Sequence, residues 1–462
     1  MNGSVPIVPT TLFDKLWERH CVETADDGES LLYVDRVIMH ERTGGIALDA
    51  LARRRRAVRR PDQAFCVVDH VVDTEPGRGD ATRVPGGTDF IAALRQGAAA
   101  FGLRIFDVND DDQGISHLVS AEQGIALPGL SLVCPDSHTC TLGALGTLAF
   151  GIGTSELEHV LATSTLRIAK PATMRVVLNG RPRLDVTAKD LALKLIGTFG
   201  AAGAAGAAVE FAGQAVADMG VEERMTLCNM ATEFGAATAV VAPDEQVLSS
   251  VLATPMAPVP APVAEWSRLV TDPGAHFDHR AELDAAQVEP QVTWGTSPEH
   301  CASVHAAVPP PSGAAARRAL AYMALEPGTP LRSVPIDAAF IGSCTNARIG
   351  DLRSAATVLA GRRVAPGVAA LCVPGSRRVQ RTAEAEGLDE VFRAAGFEWR
   401  EPGCSMCFFA GGETFGSGKR VVSTTNRNFE NRQGPGVRTH LASPAVVAAS
   451  AVHGHIAAPD PV

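Results

Sequence analysis

The sequence predicts an α/β protein that is divided into several domains. At 462 residues the chain is too long for one hydrophobic core, which predicts roughly two to four domains. Short apolar runs, typical of buried parallel strands, alternate with amphipathic patches that are typical of helices. Polar residues follow several of these runs directly, and open parallel sheets bind ligands beyond the carboxyl ends of their strands. We therefore expect functional residues at those positions.

Composition excludes several classes of protein. The chain is 46% hydrophobic and 20% charged, and its 51 acidic residues outnumber its 41 lysines and arginines, which argues against a nucleic-acid surface. The N-terminus has no basic region followed by an apolar core, and no run reaches the roughly 18 apolar residues of a membrane span. Ten irregularly spaced cysteines do not form a disulfide scaffold and fit a reducing compartment. We expect a cytoplasmic protein.

Helical patches frame the first part of the chain. An amphipathic helix is predicted from Thr11 to His20, with Leu12, Leu16 and Trp17 facing inward. A second helix is predicted after the glycine-rich segment 143–153, with a serine at position 155 as its capping residue.

Between these helices, apolar runs are predicted as buried parallel strands, and three of them lead to a histidine. Asp69 and His70 follow the run 64–68, and His117 lies after the run at 102–108. Asp136 and His138 follow the run 130–134, whereas the run 31–34 leads to an aspartate and an arginine. The ends of these strands should lie at one edge of a sheet.

Two further units are predicted, from about residue 171 and from about residue 301. In the unit that begins at about residue 171, a strand over 173–178 precedes a helical patch where Asn229 and Glu233 are four residues apart and share one face. In the unit that begins at about residue 301, strands at 338–341 and 369–373 alternate with helices at 351–360 and 378–387. An all-apolar final helix from Pro444 should be buried.

Cys344, Cys404 and Cys407 form the most specific pattern in the chain. Two residues separate Cys404 from Cys407 in a segment that begins with proline and glycine, so both thiols can turn onto one metal. Cys344 follows the strand-like run 338–341. Three thiolates fit a four-iron cluster with one open iron, although zinc sites and redox dithiols use the same spacing.

The polar residues near the predicted strand ends suit a dehydration. Loss of a hydroxyl is easier when a metal coordinates it and a general acid protonates it. Asp69 with His70, His117, and Asp136 with His138 could each be structural alone, but three such groups at equivalent positions favour acid–base chemistry. Planar guanidinium groups bind carboxylates in fixed geometry, which suggests a substrate role for two arginines that could otherwise form surface ion pairs, Arg427 and Arg432.

The segments 341–348, 401–407 and 426–433 together resemble the aconitase superfamily, and within it the large subunits of the isopropylmalate dehydratases. The resemblance runs from about Thr11 to about His455. It implies three aconitase-like α/β domains around a central iron-sulfur cluster, with the swivelling fourth domain absent from this chain. The implied domains are 1–170 with the Asp/His site residues, 171–300, and 301–462 with the cluster cysteines and substrate arginines.

The resemblance also implies roles for individual residues. Cys344, Cys404 and Cys407 would hold one [4Fe-4S] cluster per subunit, whose open iron binds the hydroxyl and a carboxylate of the substrate. The implied catalytic residues are Asp69, His70, His117, Asp136, His138 and Glu233, although Glu233 alone would be taken for a helix-surface carboxylate. The implied substrate-binding residues are Asn229, Asn426, Arg427 and Arg432.

The implied activity is the interconversion of 2- and 3-isopropylmalate by dehydration and rehydration, in leucine biosynthesis. The base that acts on carbon is a serine of the swivelling domain, so the resemblance implies a heterodimer with a small subunit that carries this domain. The chain departs from the usual family pattern at Val71, Pro135, Ala207, Phe408 and Asn431. These departures leave open a related hydro-lyase acting on homoaconitate, citraconate, maleate or a substrate of secondary metabolism. A third hypothesis is an RNA-binding iron-sulfur regulator, and the acidic composition argues against it.

Overall fold

The computed structural model describes residues 8–460, which form an α/β protein with three all-parallel sheets. Its strands in chain order are β1 Cys21–Thr24, β2 Glu29–Tyr33, β3 Arg36–His40, β4 Ala64–Val67, β5 Arg104–Phe106, β6 Ser131–Cys134, β7 Leu148–Gly151, β8 Thr165–Ala169, β9 Thr173–Asn179, β10 Ala208–Ala212, β11 Thr238–Val240, β12 His279–Asp284, β13 Gln291–Thr293, β14 Cys301–Ser303, β15 Ala338–Ile341, β16 Ala369–Cys372, β17 Glu398–Trp399, β18 Arg420–Ser423 and β19 Arg438–Leu441.

Helices connect most of the parallel strands, as is typical of βαβ units. The helices in chain order are α1 Leu12–His20, α2 Glu41–Arg53, α3 Gly87–Phe101, α4 Ser116–Glu122, α5 Thr154–Thr163, α6 Ala188–Phe199, α7 Gln214–Asp218, α8 Val221–Ala231, α9 Glu245–Leu252, α10 Val263–Trp266, α11 Ala314–Met323, α12 Ile349–Leu359, α13 Arg377–Ala385, α14 Leu388–Ala395 and α15 Pro444–His453. Within residues 8–460, no helix combines the length and the apolar content that crossing a membrane requires.

The parallel sheets have the strand orders β5-β4-β3-β6-β7, β11-β10-β9-β12 and β17-β16-β15-β18-β19. The strands of the two small sheets, β1-β2-β8 and β13-β14, pair antiparallel. The predicted α/β class is confirmed. The three parallel sheets fall in different thirds of the chain, and the domain boundaries at residues 170 and 300 stay a prediction.

Two predicted helices have the expected burial. Helix α1 begins after Thr11, whose side chain accepts from the Asp14 amide, and it buries Leu12, Leu16 and Trp17. Helix α15 is buried from Pro444 to Ala451 and packs against α12. An all-apolar helix is stable in water only when it is enclosed in this way.

The predicted parallel strand at 31–34 is wrong. Strand β2 pairs antiparallel with β1 and β8, and its residues alternate between buried and half-buried. The parallel strand is β3, which lies between β4 and β6 and is almost entirely buried. Asp35 therefore lies away from the ligand-binding edge. Its carboxylate contacts His20 Nε2 at 2.8 Å and accepts from the Ser131 amide at 2.8 Å.

Two predicted helix details are also corrected. Helix α5 begins at Thr154 with Gly153 as its N-cap, because the Glu156 carboxylate accepts the Gly153 amide at 2.6 Å and leaves no capping role for the serine at position 155. Helix α8 ends at Ala231, so Glu233 lies in the 3-10 turn that follows, not on the same helix as Asn229.

Asp244 stabilises the two helices on either side of it. Its carboxylate lies 2.5 Å from the buried Arg224 guanidinium of α8 and accepts the Gln246 and Val247 amides at the start of α9. We expect Asp244→Ala to lower the free energy of unfolding by about 2 kcal/mol, because the cap and the half-exposed ion pair are both lost. Asp244→Asn keeps a capping oxygen and should cost about half as much. Urea unfolding of the three proteins measures the difference, and equal losses would show that the cap contributes nothing.

Candidate active site

A cleft of about 380 Å³ lies where the carboxyl ends of strands from the first and third sheets meet. Strands β3, β4 and β6 lead to its histidines and acidic residues, whereas β15 and β18 lead to cysteine, asparagine and arginine side chains. The charged, thiol and amide residues that line it are His40, Arg42, His70, Asp136, His138, Cys344, Cys404, Cys407, Asn426, Arg427 and Arg432.

The three predicted cysteines share this cleft, and each is at most 7% exposed. Polar groups point at their sulfurs. Asn229 and Asn426 donate side-chain N–H groups to Cys344 Sγ at 3.2 and 3.4 Å. The Ser343 hydroxyl lies 3.0 Å from Cys407 Sγ, and an Arg432 guanidinium nitrogen lies 3.6 Å from the same sulfur. Donors aimed at sulfur favour thiolate over thiol.

The backbone conformation of the two cysteine loops also indicates a ligand site. Ser343 and Ser405 are non-glycine residues with φ of 80° and 45°, and each lies directly beside a cysteine of the cleft. Left-handed backbone of this kind is costly for residues with a side chain and clusters at ligand sites. The Cys404 amide also donates to the Asp69 carbonyl at 2.8 Å, which fixes the second cysteine loop against the end of β4.

Burial makes the thiols of Cys344 and Cys404 poor acids. It raises the pKa of Cys344 to about 12 and that of Cys404 well above its usual value. A metal centre that binds thiolates would remove this penalty, and the sulfur-directed donors fit such a centre. A fourth protein ligand is not at hand in His70, because its Nδ1 lies 2.5 Å from Asp69 and its Nε2 lies 3.2 Å from Asp136. Three thiolates fit an iron-sulfur cluster with one open iron, whereas a structural zinc site takes four protein ligands.

Asp136 is the centre of the acid–base network. One carboxylate oxygen contacts His70 Nε2, while the other accepts the His138 amide at 2.7 Å and lies 3.3 Å from His117 Nε2. Burial raises the pKa of Asp136, but the three neighbouring histidines outweigh burial and hold it well below its usual value. Burial lowers the pKa of His70, but Asp69 and the other anionic neighbours hold it well above its usual value. Both ring nitrogens of His70 face carboxylate oxygens, so the network favours the charged form of this histidine.

Glu233 connects the histidines to a predicted substrate arginine. Its Oε1 lies 3.0 Å from His138 Nε2 and 2.8 Å from Arg427 Nε. Arg427 also donates to the Ser137 hydroxyl at 3.0 Å, so its position is set by groups on both sides. Burial raises the pKa of Glu233, but His138 and Arg427 reverse this and lower it.

Every predicted site residue lies at the cleft or directly behind it. Asp69 lies behind His70, whereas His117 is fully buried behind Asp136. Asn229 lies behind Cys344, and Glu233 supports His138. The other predicted residues line the cleft itself.

The sequence reading missed His40, Glu41 and Arg42 at the end of β3. The His40 ring stacks on His70 with 3.8 Å between ring centroids, and burial followed by the His70 charge lowers the pKa of His40 to about 4. The Glu41 carboxylate accepts the backbone amides of Asp69 and His70 at 3.1 and 2.7 Å. Burial and the Asp69 charge raise the pKa of Glu41 to about 7. The apolar run 37–39, which charged residues follow, could have indicated this strand end. The parallel strand was predicted at the neighbouring run 31–34 instead.

Phe408 and Arg42 form one wall of the cleft. Two guanidinium groups lie over the Phe408 ring, with Arg42 at 5.1 Å and Arg432 at 5.6 Å from its centroid. Such cation–π contacts fix the ring while leaving the guanidinium edges available. In the part of the chain that the structure describes, no carboxylate forms an ion pair with Arg42.

Comparison with known proteins identifies the family of this chain. A family model described as the aconitase family (aconitate hydratase) matches residues 14–454. The chain is 50% identical over 458 residues to 3-isopropylmalate dehydratase large subunit 1 of Bradyrhizobium diazoefficiens, covering 97% of this chain and 96% of that protein. Among solved structures, aconitase X of Thermococcus kodakaraensis in its holo-form aligns with a TM-score of 0.46 at 11% identity, over 86% of this chain and 84% of that one. The match to the family model over nearly the whole chain shows that the protein belongs to the aconitase family.

Proposed function

We propose that this chain is the cluster-bearing large subunit of a [4Fe-4S] hydro-lyase that interconverts 2- and 3-isopropylmalate through dehydration and rehydration. One observation carries the proposal: three buried thiols line the same cleft as a histidine held between two carboxylates. The 50% identity to a 3-isopropylmalate dehydratase large subunit supports the substrate and a place in leucine biosynthesis. The three-domain organisation and a cytoplasmic location belong to the same proposal.

Cys344, Cys404 and Cys407 would hold the cluster. When bound, such a cluster supplies a Lewis-acid iron that polarises hydroxyl and carboxylate oxygens. Asn229 and Asn426 would stabilise the Cys344 thiolate through their hydrogen bonds to its sulfur.

The network around Asp136 would supply the proton for the departing hydroxyl. His70 lines the cleft, and Asp69 and Asp136 favour its charged form, so it can donate a proton to an oxygen bound there. His117, which lies behind the cleft, and His138, which lines it, would orient Asp136. Arg427 and Arg432 would bind the substrate carboxylates, with Glu233 fixing the Arg427 side chain.

The proton on carbon requires a base that we assign to a separate small subunit. A partner of roughly 160 to 220 residues would be one swivelling domain that closes over the cleft. The name of the Bradyrhizobium relative, which is a large subunit, supports a heteromer.

The test is turnover by the reconstituted pair. The chain would be loaded with iron and sulfide without oxygen, mixed with its candidate small subunit and supplied with 3-isopropylmalate. We expect ultraviolet absorbance of the alkene intermediate to rise with both subunits present and to stay flat with either one alone. An intact cluster and a bound partner without turnover would contradict the substrate while leaving dehydration chemistry in place.

One observation favours a different hydroxy acid. Arg42 is an exposed guanidinium at the cleft without a described carboxylate partner, which suits a substrate that carries a further carboxylate, as homoaconitate does. The related hydro-lyase is therefore the second candidate.

Arg42→Leu distinguishes the two candidates. With isopropylmalate as the substrate, we expect KM to change by less than about threefold, because no carboxylate would reach Arg42. With a tricarboxylate substrate, we expect KM to rise about tenfold or more, as the loss of a charged hydrogen bond predicts. Steady-state kinetics on both substrates give the answer. Arg53→Leu, at an exposed position near the other end of α2, is the matched control and should change neither KM.

A further inference from the structure

Lys189 is a fully buried cation whose immediate partners are neutral. It lies in the first turn of α6 and is 0% exposed. Its Nζ donates to the backbone carbonyls of Thr424 and Thr425 at 3.1 and 2.7 Å. Among residues 8–460, no carboxylate forms an ion pair with it. An ammonium group has three N–H donors, so two carbonyls do not complete its hydrogen bonding.

This position is unfavourable for a positive charge. The start of a helix carries a partial positive charge, which repels a lysine in the first turn. Burial adds a larger penalty and lowers the pKa of Lys189 to about 7. The adjacent Asp190 does not compensate, because its carboxylate is occupied by Thr187 and by the Gln291 amide. A nearby anionic group is needed to hold Lys189 in its charged form.

A chain of contacts links Lys189 to the cysteine site. Negative charge on Cys344 and Cys407, as on Asp351 and Glu233, favours the ammonium form of Lys189 and raises its pKa. Thr424 and Thr425, which bind the lysine, immediately precede Asn426, and Asn426 donates to Cys344 Sγ. Thr424 also donates its hydroxyl to the Gly342 carbonyl at 2.9 Å, within the loop that leads to Cys344. One short segment therefore links the lysine to the sulfur.

We propose that Lys189 is the buried counter-charge of the iron-sulfur cluster, and that it raises the reduction potential of the cluster while holding residues 424–426 in place. This inference rests on the cluster in the proposed function. A cluster bound by three thiolates is net negative, so a fixed cation close by stabilises its reduced form most. Lys189 is a positioning residue and does not touch the substrate.

Lys189→Met separates this electrostatic role from a purely structural one. Methionine keeps an unbranched side chain and removes the charge. In the protein without a cluster, we expect only a small change in melting temperature, because removal of a poorly compensated buried charge offsets the loss of the hydrogen bonds to the Thr424 and Thr425 carbonyls. In the cluster-loaded protein at a fixed ambient potential, we expect the ratio of reduced to oxidised cluster to fall about tenfold, equivalent to 59 mV for one electron. Anaerobic redox titration followed by electron paramagnetic resonance measures this ratio.

Arg224→Met is the matched control, because Arg224 is equally buried but is paired with its own carboxylate, Asp244. Its substitution should lower the melting temperature and leave the redox ratio unchanged. Lys189→Gln keeps a donor for the Thr425 carbonyl without the charge and replaces the methionine variant if that protein does not fold. An unchanged redox ratio in the lysine variants overturns the inference. Wild-type protein that takes up neither iron nor sulfide contradicts the proposed function instead.

Discussion

Cys404→Ser is expected to remove the cluster and to lower turnover by more than about 100-fold. This loss is larger than the one typical of substitutions at residues that only hydrogen-bond to metal ligands. The serine hydroxyl is a far weaker acid than a thiol and does not supply the thiolate that iron binds. Cys404 is also tied to the Asp69 carbonyl through its amide, and this backbone bond survives the substitution. The loop should therefore keep its position while its ligand is lost. Iron and sulfide content, together with turnover after anaerobic reconstitution, measure the effect.

The control for this substitution is Cys140→Ser. Cys140 is buried, and its sulfur lies 3.0 Å from the Cys228 carbonyl and 3.1 Å from the Thr232 hydroxyl, so a serine hydroxyl finds partners there. We expect this variant to keep its cluster and its turnover. Cys404→Ser protein with wild-type iron content would contradict the assignment of that ligand.

Asp136→Asn is expected to lower kcat by about 10²- to 10⁴-fold while the cluster remains bound, which is the range for loss of general acid–base catalysis. The neutral amide no longer stabilises a protonated His70, and its NH₂ group would face the ring N–H at His70 Nε2. Asp136 is not among the proposed ligands, so iron content should be unchanged. Rapid kinetics on protein of known cluster content, repeated across pH, measure both the loss and the altered ionisation.

Asp35→Asn is the matched control, since Asp35 forms a similar aspartate–histidine pair with His20 away from the cleft. It should lower stability and leave kcat within about twofold, as expected for a site without contact to the substrate. Loss of iron from Asp136→Asn would instead indicate that the carboxylate maintains the structure of the cluster site.

The sequence predicted the site better than it predicted the strands that build it. Asp69, His70, Asp136 and His138 could be grouped because the carboxyl ends of parallel strands meet at one edge, whatever the strand order. His40, Glu41 and Arg42 were missed because two adjacent apolar runs compete for one place in the sheet. Only the pairing of β3 between β4 and β6 decides between them.

Lys189 shows a second reason why part of the structure could not be predicted from the sequence. A lysine in the first turn of a helix is normally exposed, and its neighbours in the sequence gave no sign of burial. Its surroundings come from residues 424–425, which are distant in the chain. Interactions of this kind depend on tertiary structure, so local patterns do not predict them.

The hydrogen bond between the Cys404 amide and the Asp69 carbonyl has a consequence for biosynthesis. The first sheet can fold while the ribosome is still translating the rest of the chain, since domains fold as units from the N-terminus. The metal-binding pocket cannot, because the partner of the Asp69 carbonyl lies in a cysteine loop that is translated much later, and Arg432, which contacts Cys407, is translated later still. Delivery of iron and sulfide should therefore follow release or near-completion of the nascent chain. A ribosome stalled before Cys404 would hold a folded N-terminal sheet that scaffold proteins cannot load.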